Sequence, residues 1–267
     1  MPIAAATTVG AVQLTVAELA RSLAYYREAI GLDVLAEGGG EASLGAGGRE
    51  LLHLLEEPGA RPADGFAGLF HFALLVPERA DLAAWLQHAI RDRVLLTGAS
   101  DHFVSEALYL RDPDHHGIEI YADRPRELWD GQANRIGTWP LDVDDLLAAA
   151  SEPVVALPAG TRMGHVHLRV ADVAESVRFY RDLVGFDLIA QLGSEAAFLS
   201  AGGYHHHLGA NTWESRGAAA APEGTARLLG YTIVVPDEAE RDRVLARLDG
   251  ASRDPSGNRF ELVAGGV

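Results

Sequence analysis

The chain repeats itself, and that repetition limits its possible folds more than any other feature. The segment SLAYYREAIGL at 22–32 returns as SVRFYRDLVGF at 176–186. Each carries apolar residues at helical spacing and places a glycine where a helix C-terminus favours one. An alternating, strand-like run precedes each, at 11–16 and from 164. Short strands follow each helix. They fall at 32–36, 41–44 and 50–55 in the first case, and near 187–191, 196–200 and 204–211 in the second. Glycine turns separate them.

Two further units show the same order. One has a strand at 70–76, a helix at 80–90 and strands at 94–96, 105–110 and 117–121, with a DPDHHG turn before the last. The other has a strand at 231–235, a helix at 238–248 and a closing strand at 259–263, and its middle strands are shortened or lost. A single curved βαβββ sheet cannot close alone, so such units pair. The expected fold is α+β, with four βαβββ modules paired into two curved mixed β-sheet cups. Residues 1–123 form an N-terminal domain of two modules and 163–267 a C-terminal domain of two, the last shortened. Residues 124–162 connect them, with two tryptophans and a short acidic helix at 143–150.

Composition narrows the chemistry. A chain of 267 residues that is 48% hydrophobic can bury a large core. A net charge of −16 disfavours nucleic acid and anionic membrane surfaces. No segment approaches the roughly 20 apolar residues of a membrane span. The start, MPIAAATTVG, lacks the basic and apolar regions of a signal peptide, so a cytoplasmic protein is expected. Without cysteine there is neither disulfide nor thiolate ligand, and a metal site must use histidine, carboxylate, amide or water.

Aligning the modules on their strand–helix junctions sets Ala11, His71, His165 and Gly230 at one first-strand position. Glu119 and Glu261 occupy the matching last-strand position of modules two and four. If modules two and three share a cup, His71, His165 and Glu119 meet. Two histidines and one carboxylate leave open coordination positions and suit non-haem Fe(II). The other cup then holds Ala11, Gly230 and Glu261 and no site. Other groups fall nearby. Tyr109 ends the adjoining hairpin strand, and His102 precedes that hairpin. His205, His206 and His207 lie on a strand whose alternation sends His206 to one face and its neighbours to the other. His167 shares the face of His165 as a packing or rim group, whereas His53 and His88 read as surface or packing residues. His115 and His116 read as exposed turn residues, and Trp213 as packing or pocket lining.

The segments GLFHFALLVP, DHFVSEALYLRDPDHHGIEIYADRP, GHVHLRVAD and GGYHHHLGANTW, in that order, resemble the vicinal-oxygen-chelate superfamily. Within it they look most like extradiol dioxygenases of the catechol 2,3-dioxygenase type. The resemblance implies Fe(II) held by His165, His71 and Glu119, with Mn(II) not separable by ligand set. It implies a hydrogen-bonding Tyr109, an acid/base histidine best matched by His206 (His205 or His207 being the alternatives), and His102 near a substrate hydroxyl. The implied substrates are a small aromatic diol and O2, opened to a 2-hydroxymuconic semialdehyde-type product. A homo-oligomer is expected. Two features depart from the family pattern. Its members place all three ligands in the C-terminal half, yet module four here reads Gly230-Tyr231, so the site must span both halves. The hairpin also reads DPDHHG in place of D-P-x-G-N. Rival readings are a glyoxalase-like lyase or isomerase, richer in carboxylate ligands, and a bleomycin-resistance-like binding protein that needs no metal triad.

Overall fold

Alternation along the first strand of each module decides which side chains go to the core. In Gly68–Leu75, Phe72 and Leu74 face one way and His71 and Ala73 the other. The computed structural model describes residues 1–265; residues 266 and 267, the end of the expected C-terminal half, lie outside the described residues.

Two mixed sheets carry the fold. The eight-stranded sheet runs Asp187–Leu192, Ala196–Ser200, Leu208–Asn211, Arg162–Arg169, Gly68–Leu75, Gly117–Asp123, Ser105–Arg111, Gly98–Asp101. It joins module three to module two through the antiparallel pair Arg162–Arg169 and Gly68–Leu75. The six-stranded sheet runs Phe260–Ala264, Leu228–Val235, Thr8–Val16, Arg49–Glu56, Glu41–Ala46, Asp33–Gly38, and joins module four to module one. In every module the first and last strands pair in parallel. A continuous apolar core links the two sheets, with Leu14, Leu54 and Ile233 from one and Phe72, Ile118 and Val166 from the other.

The repeated helices differ from the uniform ones the spacing suggests. Leu19–Tyr25 is α-helical and continues as a π-helix over Tyr26–Ile30; Val173–Arg178 likewise gives way to Phe179–Val184. Gly31 and Gly185 end them in the left-handed region, at φ 90° and 106°. The π segments begin beside a latch. Tyr26 donates to Asp112 in the turn of module two at 2.8 Å, and Tyr180 donates to Asp254 in the turn of module four at 3.1 Å. Each half is thereby tied across the two sheets.

Three expectations fail locally. The strand after the second helix is Gly98–Asp101 rather than 94–96, because Arg93 leaves the helix at φ 58° and the chain runs irregularly before pairing. The last strand of module three starts at Leu208, since a tight turn through Gly202 and Gly203 keeps 204–207 out of the ladder. His116 is buried, with Nε2 donating to the Thr15 carbonyl at 2.8 Å, whereas His115 is exposed beside Asp64. The expected acidic helix spans Val143–Leu147. Among the described residues no helix is long and apolar enough to cross a membrane.

Candidate metal centre

The antiparallel pair at the middle of the larger sheet sets the register of the site. His167 lies opposite His71, and His165 opposite Ala73. Ala73 in turn pairs with Glu119 on the parallel neighbour, and Tyr109 lies opposite Glu119 on the strand beyond. Neighbouring strands therefore bring His71, His165, Glu119 and Tyr109 to the concave face. The smaller sheet has the same register, with Gln13 opposite Gly230 and Thr232 paired with Glu261. There the histidine positions hold Ala11 and Gly230, and Glu261 pairs with Arg259.

His71 Nε2 and His165 Nε2 lie 3.0 and 3.1 Å from Glu119 Oε2, and 3.2 Å from each other. Three donor atoms thus form a nearly equilateral triangle, the one such His/Asp/Glu cluster among the described residues. Donors about 2.1 Å from one ion are about 3.0 Å apart at right angles and about 3.4 Å apart at the tetrahedral angle. The triangle fits one face of an octahedron, leaving the opposite face open.

The electrostatics suit a cation. Burial pushes the Glu119 carboxyl up, but His165 and His71 outweigh it and hold it well below the usual range. Burial pushes His165 down to about 4 against the pull of Glu119, so at neutral pH it offers a lone pair. Its Nδ1 is buried with no hydrogen-bond partner. The ring is aimed by packing, with His206 at 4.0 Å and Tyr121 at 5.0 Å between ring centres.

The triangle opens onto a cavity of about 380 Å³. Phe70, Phe198 and Trp213 give it an aromatic wall, and Trp213 stands 5.3 Å from Phe70 between ring centres. All six residues singled out in the sequence line it: His71, His102, Tyr109, Glu119, His165 and His206. The Tyr109 ring is 5.6 Å from that of His71. Burial and the Glu119 charge raise its phenol well above the usual range, so it stays protonated. His102 Nδ1 faces the Gly137 carbonyl, which can only accept. In the neutral ring Nε2 then accepts from the Tyr109 hydroxyl, at 2.6 Å.

The three consecutive histidines precede the strand and do not lie on it. His206 faces the cavity, His205 reaches Asp123, and His207 Nδ1 accepts from the Ala201 backbone N–H at 3.2 Å. His167 is buried and lines the cavity, with Nε2 unpartnered and its ring 4.9 Å from that of His71. Sequence reasoning missed Ile136, Gly137 and Thr138, which the connector lays along the cavity, and Phe70 and Phe198. Phe70 was legible in principle, since it adjoins His71 within a quoted motif.

Comparison with known proteins agrees with this architecture. The family model described as Glyoxalase/Bleomycin resistance protein/Dioxygenase superfamily matches residues 8–120 and 162–251. The Catechol-2,3-dioxygenase of Bacillus subtilis (strain 168) is 42% identical over 266 residues, covering 96% of this chain and 93% of that protein. Among solved structures, a proposed dioxygenase from Bacillus subtilis subsp. subtilis str. 168 superposes with TM-score 0.66 at 15% identity, covering 99% of this chain and 86% of that one. Glyoxalase I from Zea mays superposes with TM-score 0.58 at 17% identity, over 97% of this chain and 92% of that one. At these identities the structures speak for the fold alone.

Proposed function

This chain belongs to the glyoxalase/bleomycin resistance protein/dioxygenase superfamily, and from that premise we propose that it is a non-haem Fe(II) extradiol dioxygenase. Its substrate is catechol or a substituted catechol, opened with O2 to a 2-hydroxymuconic semialdehyde-type product. The observation that carries the reading is the donor triangle of His71, Glu119 and His165 at the floor of an aromatic-walled cavity. The relative named Catechol-2,3-dioxygenase supports it. The site has a single carboxylate donor, which weighs against the carboxylate-richer lyase reading.

His71, Glu119 and His165 would hold the metal. Held there, the metal would supply a Lewis-acid and redox centre for a diol and dioxygen. The chain's own residues do the rest. Phe70, Phe198 and Trp213 sandwich the apolar ring edge and exclude water. His206 takes a proton from a substrate hydroxyl and returns it as the ring opens. Tyr109, held protonated by burial and placed by His102, turns its hydroxyl away from His102 to donate a hydrogen bond to oxygen that gains negative charge during the reaction.

The test is direct. Protein loaded anaerobically with ferrous ion and given catechol should form a yellow ring-fission product when air is admitted. Iron confirmed bound and no product from a range of catechols would overturn the proposal. Loading with manganese in parallel decides which ion supports turnover.

A further inference from the structure

Behind His206 lies a chain of polar groups that holding a metal does not require. Asp123 ends the strand Gly117–Asp123 and shares the face of Glu119 and Tyr121, by the period of two. Its Oδ1 accepts from His205 Nε2 at 2.9 Å, and its Oδ2 accepts from the Tyr204 hydroxyl at 3.0 Å. The Tyr204 oxygen accepts in turn from the Tyr121 hydroxyl at 2.8 Å. On its other side, His205 Nδ1 lies 2.8 Å from His206 Nδ1. His205 is fully buried, its ring fixed between Tyr204 and Trp129 at 4.0 and 5.6 Å between centres.

Counting donors and acceptors assigns the hydrogens. A carboxylate only accepts, so His205 Nε2 carries its hydrogen. In the neutral ring Nδ1 is then a lone pair. Two lone pairs do not face each other at 2.8 Å, so His206 Nδ1 carries a hydrogen and donates it. In neutral His206 the remaining lone pair is on Nε2. That atom has no hydrogen-bond partner among the described residues, and the ring lines the cavity against His165. A divalent ion at the triangle also favours neutral imidazoles around it.

We propose that Asp123 and His205 are positioning residues that hold His206 in its Nδ1–H tautomer, so that Nε2 meets the substrate as a base. The proposal rests on the acid/base role given to His206 above. One proton moves from a substrate hydroxyl to His206 Nε2, and the oxygen keeps the electron pair. The imidazolium so formed still donates through Nδ1 to His205, whose own hydrogen bond leads to the Asp123 carboxylate. The return of that proton restores the starting tautomer.

Asp123→Asn tests the assignment. With Tyr204 still donating to the amide oxygen, the amide nitrogen turns to His205 Nε2, which becomes an acceptor. His205 then donates through Nδ1, and His206 is left with hydrogen on Nε2. Imidazole 15N shifts, read in metal-free and zinc-loaded protein, report the tautomers without turnover. Wild type should show a protonated Nδ1 and a bare Nε2 on His206; Asp123→Asn should reverse them, and Asp123→Glu, still acceptor-only, should keep the wild-type pattern. In the iron-loaded enzyme Asp123→Asn should lower kcat by about 10²- to 10⁴-fold at unchanged iron content. An Nε2–H His206 or a cationic His205 in wild type would overturn the assignment, as would an unreversed tautomer in Asp123→Asn. The expected tautomers in a protein that cleaves no catechol would instead uphold the assignment and sink the dioxygenase reading.

Discussion

His71 and His165 are worth little as ligands apart from Glu119, because their nitrogens are fixed relative to its Oε2 and to each other within 3.2 Å. Removing one corner should therefore empty the site. His71→Ala protein is expected to lose most of its bound iron on isolation, and full occupancy by metal analysis would refute the shared cup as the metal site. Tyr109 tests a different role. Tyr109→Phe keeps the ring beside His71 and removes only the hydroxyl that His102 accepts from. Iron content should not change, while kcat should fall by about 10²- to 10³-fold, the usual effect of losing one such donor. A kcat within about threefold of wild type would remove Tyr109 from the chemistry. The donor residues were legible because the modules repeat in register, so equivalent positions could be compared. Asp123 and His205 were not, because their partnership depends on how the chain turns through Gly202 and Gly203, and no periodicity encodes that.

At the scale of elements, modules three and two pack so closely that one position tolerates no side chain. A Cβ on Gly164 would overlap the Tyr121 hydroxyl, the first link of the bond chain through Tyr204 to Asp123. Gly164→Ala should therefore push Tyr121 aside and destabilise the protein by about 1 to 3 kcal/mol, read as a lower urea midpoint at an unchanged m-value. A midpoint equal to wild type would mean the strand can shift to make room. Two pairings of the modules were open to the sequence, whereas the repeated helices and the matched positions across modules follow from spacing and register. Boundaries that depend on non-local partners do not. The edge strand Gly98–Asp101 is fixed by pairing with Ser105–Arg111, and by the Asp101 bridge to Trp139 in the connector. Its composition alone favours a loop.

The whole molecule concentrates neutral histidines in its interior, and this sets its response to acid. Burial holds His207 at about 3 and His165 at about 4, from an ordinary value of 6.5. Burial also pushes His167 and His206 well down. Below pH 6.5 the unfolded chain takes up protons at these positions and the folded chain does not. More protons bound by the unfolded state mean that stability falls as pH falls, by up to about 1.4 kcal/mol per pH unit per histidine. The loss continues until pH drops through each folded value, where both states are protonated. Glu119 adds to it only lower down. Its folded value is depressed, so its contribution is present above the ordinary 4.5 and is lost as pH falls toward the folded value. Metal-free protein should thus lose several kcal/mol between pH 6.5 and 5, before Glu119 is involved. Urea midpoints taken across that interval check it. Stability that is flat or rising on acidification would mean that these side chains are already protonated in the fold, and so cannot offer the neutral nitrogens that both the metal and the His206 relay need.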